Sequence, residues 1–115
     1  MKDDKSKDFE RLLHIRNAIE EIERFTTGVN KKRFINDSLV SSGTLFQFNI
    51  IGEAIIYIDA ELLGKYKYPW FKVRAFRNLI SHEYFNVKLE AVWDIVKNDL
   101  PELKEMIEKI LNERF

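Results

Sequence analysis

None of the 115 residues is a cysteine, which excludes a disulfide framework, a thiolate zinc site and a cysteine nucleophile. Prolines number two and glycines four, too few for the frequent turns of an all-β chain, so long helices are expected. No apolar stretch has the expected length of a membrane span, because "IIGEAIIYI" contains Glu53 and is followed by Asp59. The opening "MKDDKSKDFE" is charged and has no apolar centre, unlike a secretory leader. These absences point to a soluble, cytoplasmic protein with no membrane partner. There is no excess of charge either: nineteen basic residues balance nineteen acidic ones. A generic nucleic-acid binder draws its affinity from a net positive field, and this chain has none.

What is present suits a globular chain, with 45% hydrophobic and 33% charged residues, and the length suits one domain over residues 1–115 with a single core. Leu12, Ile15, Ile19, Ile22 and Phe25 recur at three- and four-residue spacing, so a first amphipathic helix is expected from about Lys5 to Phe25. Gly28 suits its C-terminal cap, a short helix is expected around Lys31 to Phe34, and "NDS" offers N-capping side chains for the next.

That next segment, Ser38 to Leu63, is apolar over most of its circumference. Leu45, Phe48, Ile51, Ile55, Ile58 and Leu62 form one stripe, widened by Phe46, Ile50, Ala54 and Ile56. It should be the central helix, ended by Gly64. Pro69 opens a further helix, expected to run to between Tyr84 and Asn86. Another follows, with Val87, Ala91, Val92 and Ile95 on one side, and Pro101 restarts the chain into a last amphipathic helix. The expected fold class is all-α, an antiparallel bundle of four to six helices.

The helix after Pro69 contains "FRNLISHEY", which holds one of the chain's two histidines. At 100° per residue, and relative to Arg77, Ser81 sits near 40°, Arg74 near 60°, Asn78 near 100° and His82 near 140°, all roughly. Val73, Phe76 and Ile80 cluster on the opposite side, at roughly 260° to 320°. Tyr84 falls about 20° from Arg77 if the helix reaches it. The helix therefore has a core stripe and one polar arc. Asn78 and His82, four residues apart, are spaced for an amide-to-imidazole hydrogen bond that fixes the tautomer. Arg77 carries a fork of donors suited to phosphate oxygens, and an imidazole moves protons near neutral pH. Together they form a minimum set for cleaving a phosphodiester without a metal.

A solvated polar face is the plainer reading of any such arc, and one histidine does not serve as both base and acid. The roughly 140° between Arg77 and His82 suits a site completed across an interface between two copies. From Gly64 to His82 there are five basic residues and no acidic one, although the chain as a whole is neutral. Glu53 is the only charged residue between Gly43 and Ile58, and Arg77 or Arg74 is its expected partner. His14 is expected to be a packed or surface residue. No histidine or carboxylate pair has metal-ligand spacing, and no glycine-rich phosphate loop is present.

The stretch "YPWFKVRAFRNLISHEYFNVKLEAVWDIVKNDLPELKEMI" resembles the HepT-like branch of the HEPN superfamily, small all-α toxins, and the likeness reaches upstream to "IIGEAI". The family motif is an arginine, four to six residues, a histidine and often x-Tyr, matched here by Arg77, His82 and Tyr84 with the usual asparagine at Asn78. The resemblance implies a metal-independent endoribonuclease toxin of a toxin–antitoxin pair, needing no cofactor. By the resemblance Arg77 and His82 would be catalytic, with Asn78 in support. Lys72, Arg74 and Ser81 depart from the family pattern, and from the residues themselves Ser81 and Glu53 are expected in support and Lys72 and Arg74 as RNA contacts. Its implied partners are a second copy of itself, forming a shared cleft, an RNA substrate such as transfer or messenger RNA, and a minimal nucleotidyltransferase antitoxin. The antitoxin would add AMP to Tyr84. The alternative is a non-catalytic helical module that binds a nucleotide or a protein through the same polar face, or a structural dimer with no nucleic-acid role.

Overall fold

Leu12, Ile15, Ile19 and Ile22 are all completely buried, on one face of a long first helix, α1 (Lys2–Thr26). The computed structural model that shows this describes residues 2–115. The chain leaves α1 through Gly28, whose φ of +74° is a left-handed conformation that glycine adopts without strain. Asn30 then caps α2 (Lys31–Asn36), its Oδ1 accepting the Arg33 N–H at 2.8 Å. Phe34 of that short helix is fully buried, with its ring 5.3 Å from that of Trp93. Asp37, within the expected "NDS" cap, accepts the Leu39 N–H at 3.1 Å and starts α3 (Ser38–Ile56).

The third helix is central, as its composition implies, packing on α1 along one side and on α5 along the other. Leu45, Phe48, Ile51, Ala54 and Ile55 are buried. By length and mean hydropathy (1.3) it would suffice to cross a membrane, an outcome not expected from the Glu53 interruption. In this fold it serves as a core helix. Two boundaries differ from expectation. The helix ends at Ile56 rather than near Leu63, because Asp59 starts a separate short helix, α4 (Ala60–Gly64). The Asp59 carboxylate accepts the Glu61 N–H at 3.0 Å, and its own N–H donates to buried Asp8 of α1 at 3.1 Å. Phe46 and Ile56, expected to thicken the buried stripe, stand 61% and 45% exposed.

Pro69 precedes α5 (Trp70–His82) as predicted, but this helix stops at His82. Glu83 leaves the helical region and Tyr84–Asn86 form one 3₁₀ turn, so Tyr84 does not continue the helical arc. The final segment is α6 (Leu89–Asp94), a π-turn over Ile95–Asp99 and α7 (Leu100–Arg114). The Leu100 N–H bonds to the Ile95 carbonyl five residues back, which carries the helix through without a break. Pro101 therefore sits in the first turn of α7 and does not restart the chain. On α6 and the π-turn, Val92, Trp93 and Val96 point inward, whereas Ala91, expected on the buried side, is exposed.

The resulting architecture is an all-α bundle in which α1 contacts α3 and α7, α2 joins α3 to α6, and α5 lies chiefly against α3. Ion pairs Arg16–Glu108 (3.4 Å) and Lys104–Glu23 (3.0 Å) tie α1 to α7 at the surface.

Candidate active site

The approach of α5 to α3 positions the polar motif. Gly52 of α3 is buried directly beneath Arg77 of α5, and a β-carbon at Gly52 would overlap the Arg77 side-chain stem. Absence of a side chain there lets the two helices close onto each other, and two polar links form across the seam. Arg77 Nη2 donates to Glu53 Oε2, and one helical turn away Ser81 Oγ bonds Asn49 Oδ1 at 3.1 Å. Glu53 and Asn49 are four residues apart on α3, as are Arg77 and Ser81 on α5. The two bonds are consecutive rungs between antiparallel helices.

Arg77 is the most constrained of the motif residues. Its side chain is 23% exposed and its Nη1 donates to Asn78 Oδ1 at 3.2 Å. Its Nε–H is buried with no hydrogen-bond partner among the described residues. A guanidinium has five N–H donors, so hydrogens on Nη1 and Nη2 remain for an incoming anion. Glu53 holds the fork in one orientation, the partner expected from sequence. The Asn78 amide oxygen is taken by Arg77. The bond anticipated between Asn78 and His82 does not form, and Asn78 supports the arginine instead.

His82 is the last residue of α5 and is exposed, with no hydrogen bond to any described residue. A protein imidazole that moves protons needs access to its substrate, and this placement gives it. Tyr84 follows on the 3₁₀ turn, 45% exposed, its ring edge-on to Phe85 at 5.9 Å. The motif's arginine, histidine and tyrosine are thus placed by different means: a helix-helix seam in the middle of α5, the helix terminus and the turn after it.

Arg74 is exposed on α5. Lys72 sits at the other end of the helix, roughly 15 Å along the axis from His82. There it lines a cavity of about 250 Å³ between α3, α5 and the start of α7, with Phe48, Phe76, Tyr68, Asp99 and Glu102. Burial, then Asp99 and Glu102, push the Tyr68 hydroxyl up to about 12. His14 is an exposed residue of α1. Among the described residues, no group of three or more histidine, aspartate or glutamate side chains is placed to hold a metal ion. Sequence reasoning missed Gly52 and Asn49. Asn49 was discoverable as the residue one turn before Glu53 on the same face, while the role of Gly52 depends on the helix crossing itself.

An all-α fold with a partly buried, carboxylate-anchored arginine and a histidine five residues later defines the class. Residues 15–110 match the family described as HepT-like, Ribonuclease HepT-like, and the chain belongs to that family. Among similar proteins, one from Thermococcus cleftensis, named provisionally as ribonuclease HepT, is 33% identical over 86% of this chain and 91% of its own length. A Methanocaldococcus jannaschii protein named provisionally as an RNase is 31% identical over 84% of this chain and 90% of its own. A second M. jannaschii protein, named as a gamma-glutamylcyclotransferase and provisionally as an RNase, is 36% identical over 89% of this chain. This chain spans 46% of that relative, about half its length. No solved structure matches the chain.

Proposed function

We propose that the chain is a metal-independent endoribonuclease that works as a homodimer and is the toxin of a toxin–antitoxin pair. The observation that carries this reading is the Glu53–Arg77–Asn78 arrangement, which holds the guanidinium in one orientation on the same helix that ends in the exposed His82. Family membership supports the reaction class. His82 of one copy takes the proton of the RNA 2′-hydroxyl as that oxygen attacks the adjacent phosphorus. The P–O5′ bond breaks, and the leaving oxygen takes a proton from the protonated His82 of the second copy. The products are a 2′,3′-cyclic phosphate and a 5′-hydroxyl. Arg77 donates hydrogen bonds to the phosphoryl oxygens as negative charge accumulates on them.

Two features favour the pairing of copies. Among the described residues α5 packs chiefly on α3, and Phe71 on this helix and Phe85 just beyond it stand 63% and 99% exposed. The antitoxin is proposed to be a minimal nucleotidyltransferase that adds AMP to Tyr84, whose exposed hydroxyl is open to modification. A bulky anion there would repel RNA phosphates from Arg77.

The test is incubation of purified protein with total RNA and transfer RNA in EDTA, beside His82→Ala. Cleavage by wild type alone, with cyclic-phosphate ends, is the expected result. Cleavage that persists in His82→Ala removes the assignment. No cleavage by either, from an intact dimer, favours the binding-module reading of the same face.

A further inference from the structure

Beside the motif lies a shallow groove of about 320 Å³ between α3 and α5, lined by Ser42, Leu45, Phe46, Asn49, Ile80, Ser81 and Tyr84. None of these side chains is charged at neutral pH, although a third of the chain is. Its walls are aromatic and aliphatic, and two large rings, Phe46 and Tyr84, are left 61% and 45% exposed. Leaving such rings in water forgoes the stabilisation that burial gives, so their exposure favours a ligand with an apolar face. Buried Leu45 and Ile80 are apolar lining, and the polar groups of the lining include the exposed Ser42 hydroxyl and the partly buried Asn49 amide. The Asn49 oxygen is occupied by Ser81, which leaves its NH₂ as the donor.

We propose that this groove is a nucleobase subsite, which stacks a base of the RNA against Phe46 or Tyr84 and reads its edge with Asn49. A base is neutral, flat, apolar on its faces and polar on its rim, which matches this lining; a phosphate or a charged peptide does not. The position also fits. Asn49 and Ser81 form the rung next to Glu53 and Arg77, about one helical turn or 5.4 Å away. That separation is comparable to the span from a nucleotide's base to its phosphate. A base in the groove therefore sets a neighbouring phosphate at Arg77 and His82. The inference rests on the ribonuclease reading for its consequence, but the binding itself is separable from cleavage.

The experiment uses the full chain and short oligonucleotides carrying a single 2′-hydroxyl, so that cleavage is confined to one linkage whose flanking bases are varied. Wild type is expected to discriminate among bases on one side of that linkage. Phe46→Ala should raise KM roughly tenfold for every base, the loss expected for one stacking partner. Asn49→Ala should flatten the discrimination among bases, read as the ratio of kcat/KM values for the varied base. Unaltered KM in Phe46→Ala together with unaltered discrimination in Asn49→Ala overturns the subsite. So does a Phe46→Ala protein that turns monomeric in sedimentation while retaining the base preference, since the groove would then be a protein interface. If wild type does not cleave, the ribonuclease reading falls, and binding of all-2′-deoxy oligonucleotides by anisotropy decides the subsite. Weaker binding by Phe46→Ala sustains it, and equal binding, or none by wild type, overturns it.

Discussion

Gly52 and Arg77 pack so closely that no β-carbon fits between them. The atoms a new methyl would meet are Cβ and Cγ of Arg77, the first of which is fixed to the α5 backbone. The side chain cannot swing clear, so the helices must part. Gly52→Ala is expected to destabilise the fold by about 1–3 kcal/mol, as overpacking does, despite alanine's better helix propensity. Displacement of the guanidinium should also lower RNA cleavage by tenfold or more, since about 1 Å of misplacement has effects of that order. Denaturant midpoints and cleavage rates check the two effects separately. Full activity in a folded Gly52→Ala protein would show that the seam does not position the arginine.

Glu53 tests orientation apart from stability. The pair is half exposed, with side chains 23% and 43% accessible, so its net contribution to folding should be below about 1 kcal/mol. Glu53→Gln is therefore expected to leave the denaturation midpoint nearly in place. It should lower kcat about tenfold without raising KM, because the freed guanidinium still attracts RNA but no longer points one way. A raised KM at unchanged kcat contradicts this account.

Tyr84 offers a readout by mass. Co-expression with the nucleotidyltransferase partner should add one or more AMP groups to the wild-type chain and none to Tyr84→Phe. A wild-type chain that is neutralised while unmodified would mean inhibition by binding alone.

Thr44 is fully buried in α3, and its hydroxyl has no hydrogen-bond partner among the described residues. An unsatisfied buried hydroxyl costs about 1–3 kcal/mol. Thr44→Val keeps the branched shape while removing that group, and is expected to raise stability by about 1 kcal/mol in urea or thermal unfolding. A loss of stability would reveal a partner for the hydroxyl.

Tyr68 provides a pH signature. Its hydroxyl is pushed from 10.0 up to about 12 in the folded state, by burial first and then by Asp99 and Glu102. The unfolded chain gives up this proton at a lower pH than the folded one, so the folded state binds more protons in that window. Stability contributed by this group is fully present below the unfolded value, about 10, and is lost as the pH rises toward about 12. Tyr68→Phe should flatten the decline in stability across that range. An unchanged alkaline decline would place its cause elsewhere.

Much of this was legible in the residues alone. The all-α class, the stripe of α1, the cap at Asp37 and the core face of α5 follow from apolar spacing and from short polar side chains that satisfy free N–H groups. These are local effects, settled over one or two helical turns. The motif itself, Arg77 to His82, is also local, and so is the inference that a lone charge at Glu53 needs a cation.

Other features depended on neighbours distant in sequence. The end of α3 at Ile56 follows from the cap at Asp59, which buried Asp8 of α1 holds in place. Trp93 is buried against Phe34 of α2, a neighbour distant in sequence, and the π-turn lets the final helical run pass Pro101 unbroken. Asn78 turned to Arg77 rather than His82 because Glu53 had already brought the guanidinium within its reach. Sequence by itself determined the all-α class and the core faces of α1 and α5, but not every helix end or every buried side chain. Only the tertiary structure decided where α5 meets α3, because that crossing depends on a glycine under an arginine stem, a close approach that no periodicity encodes.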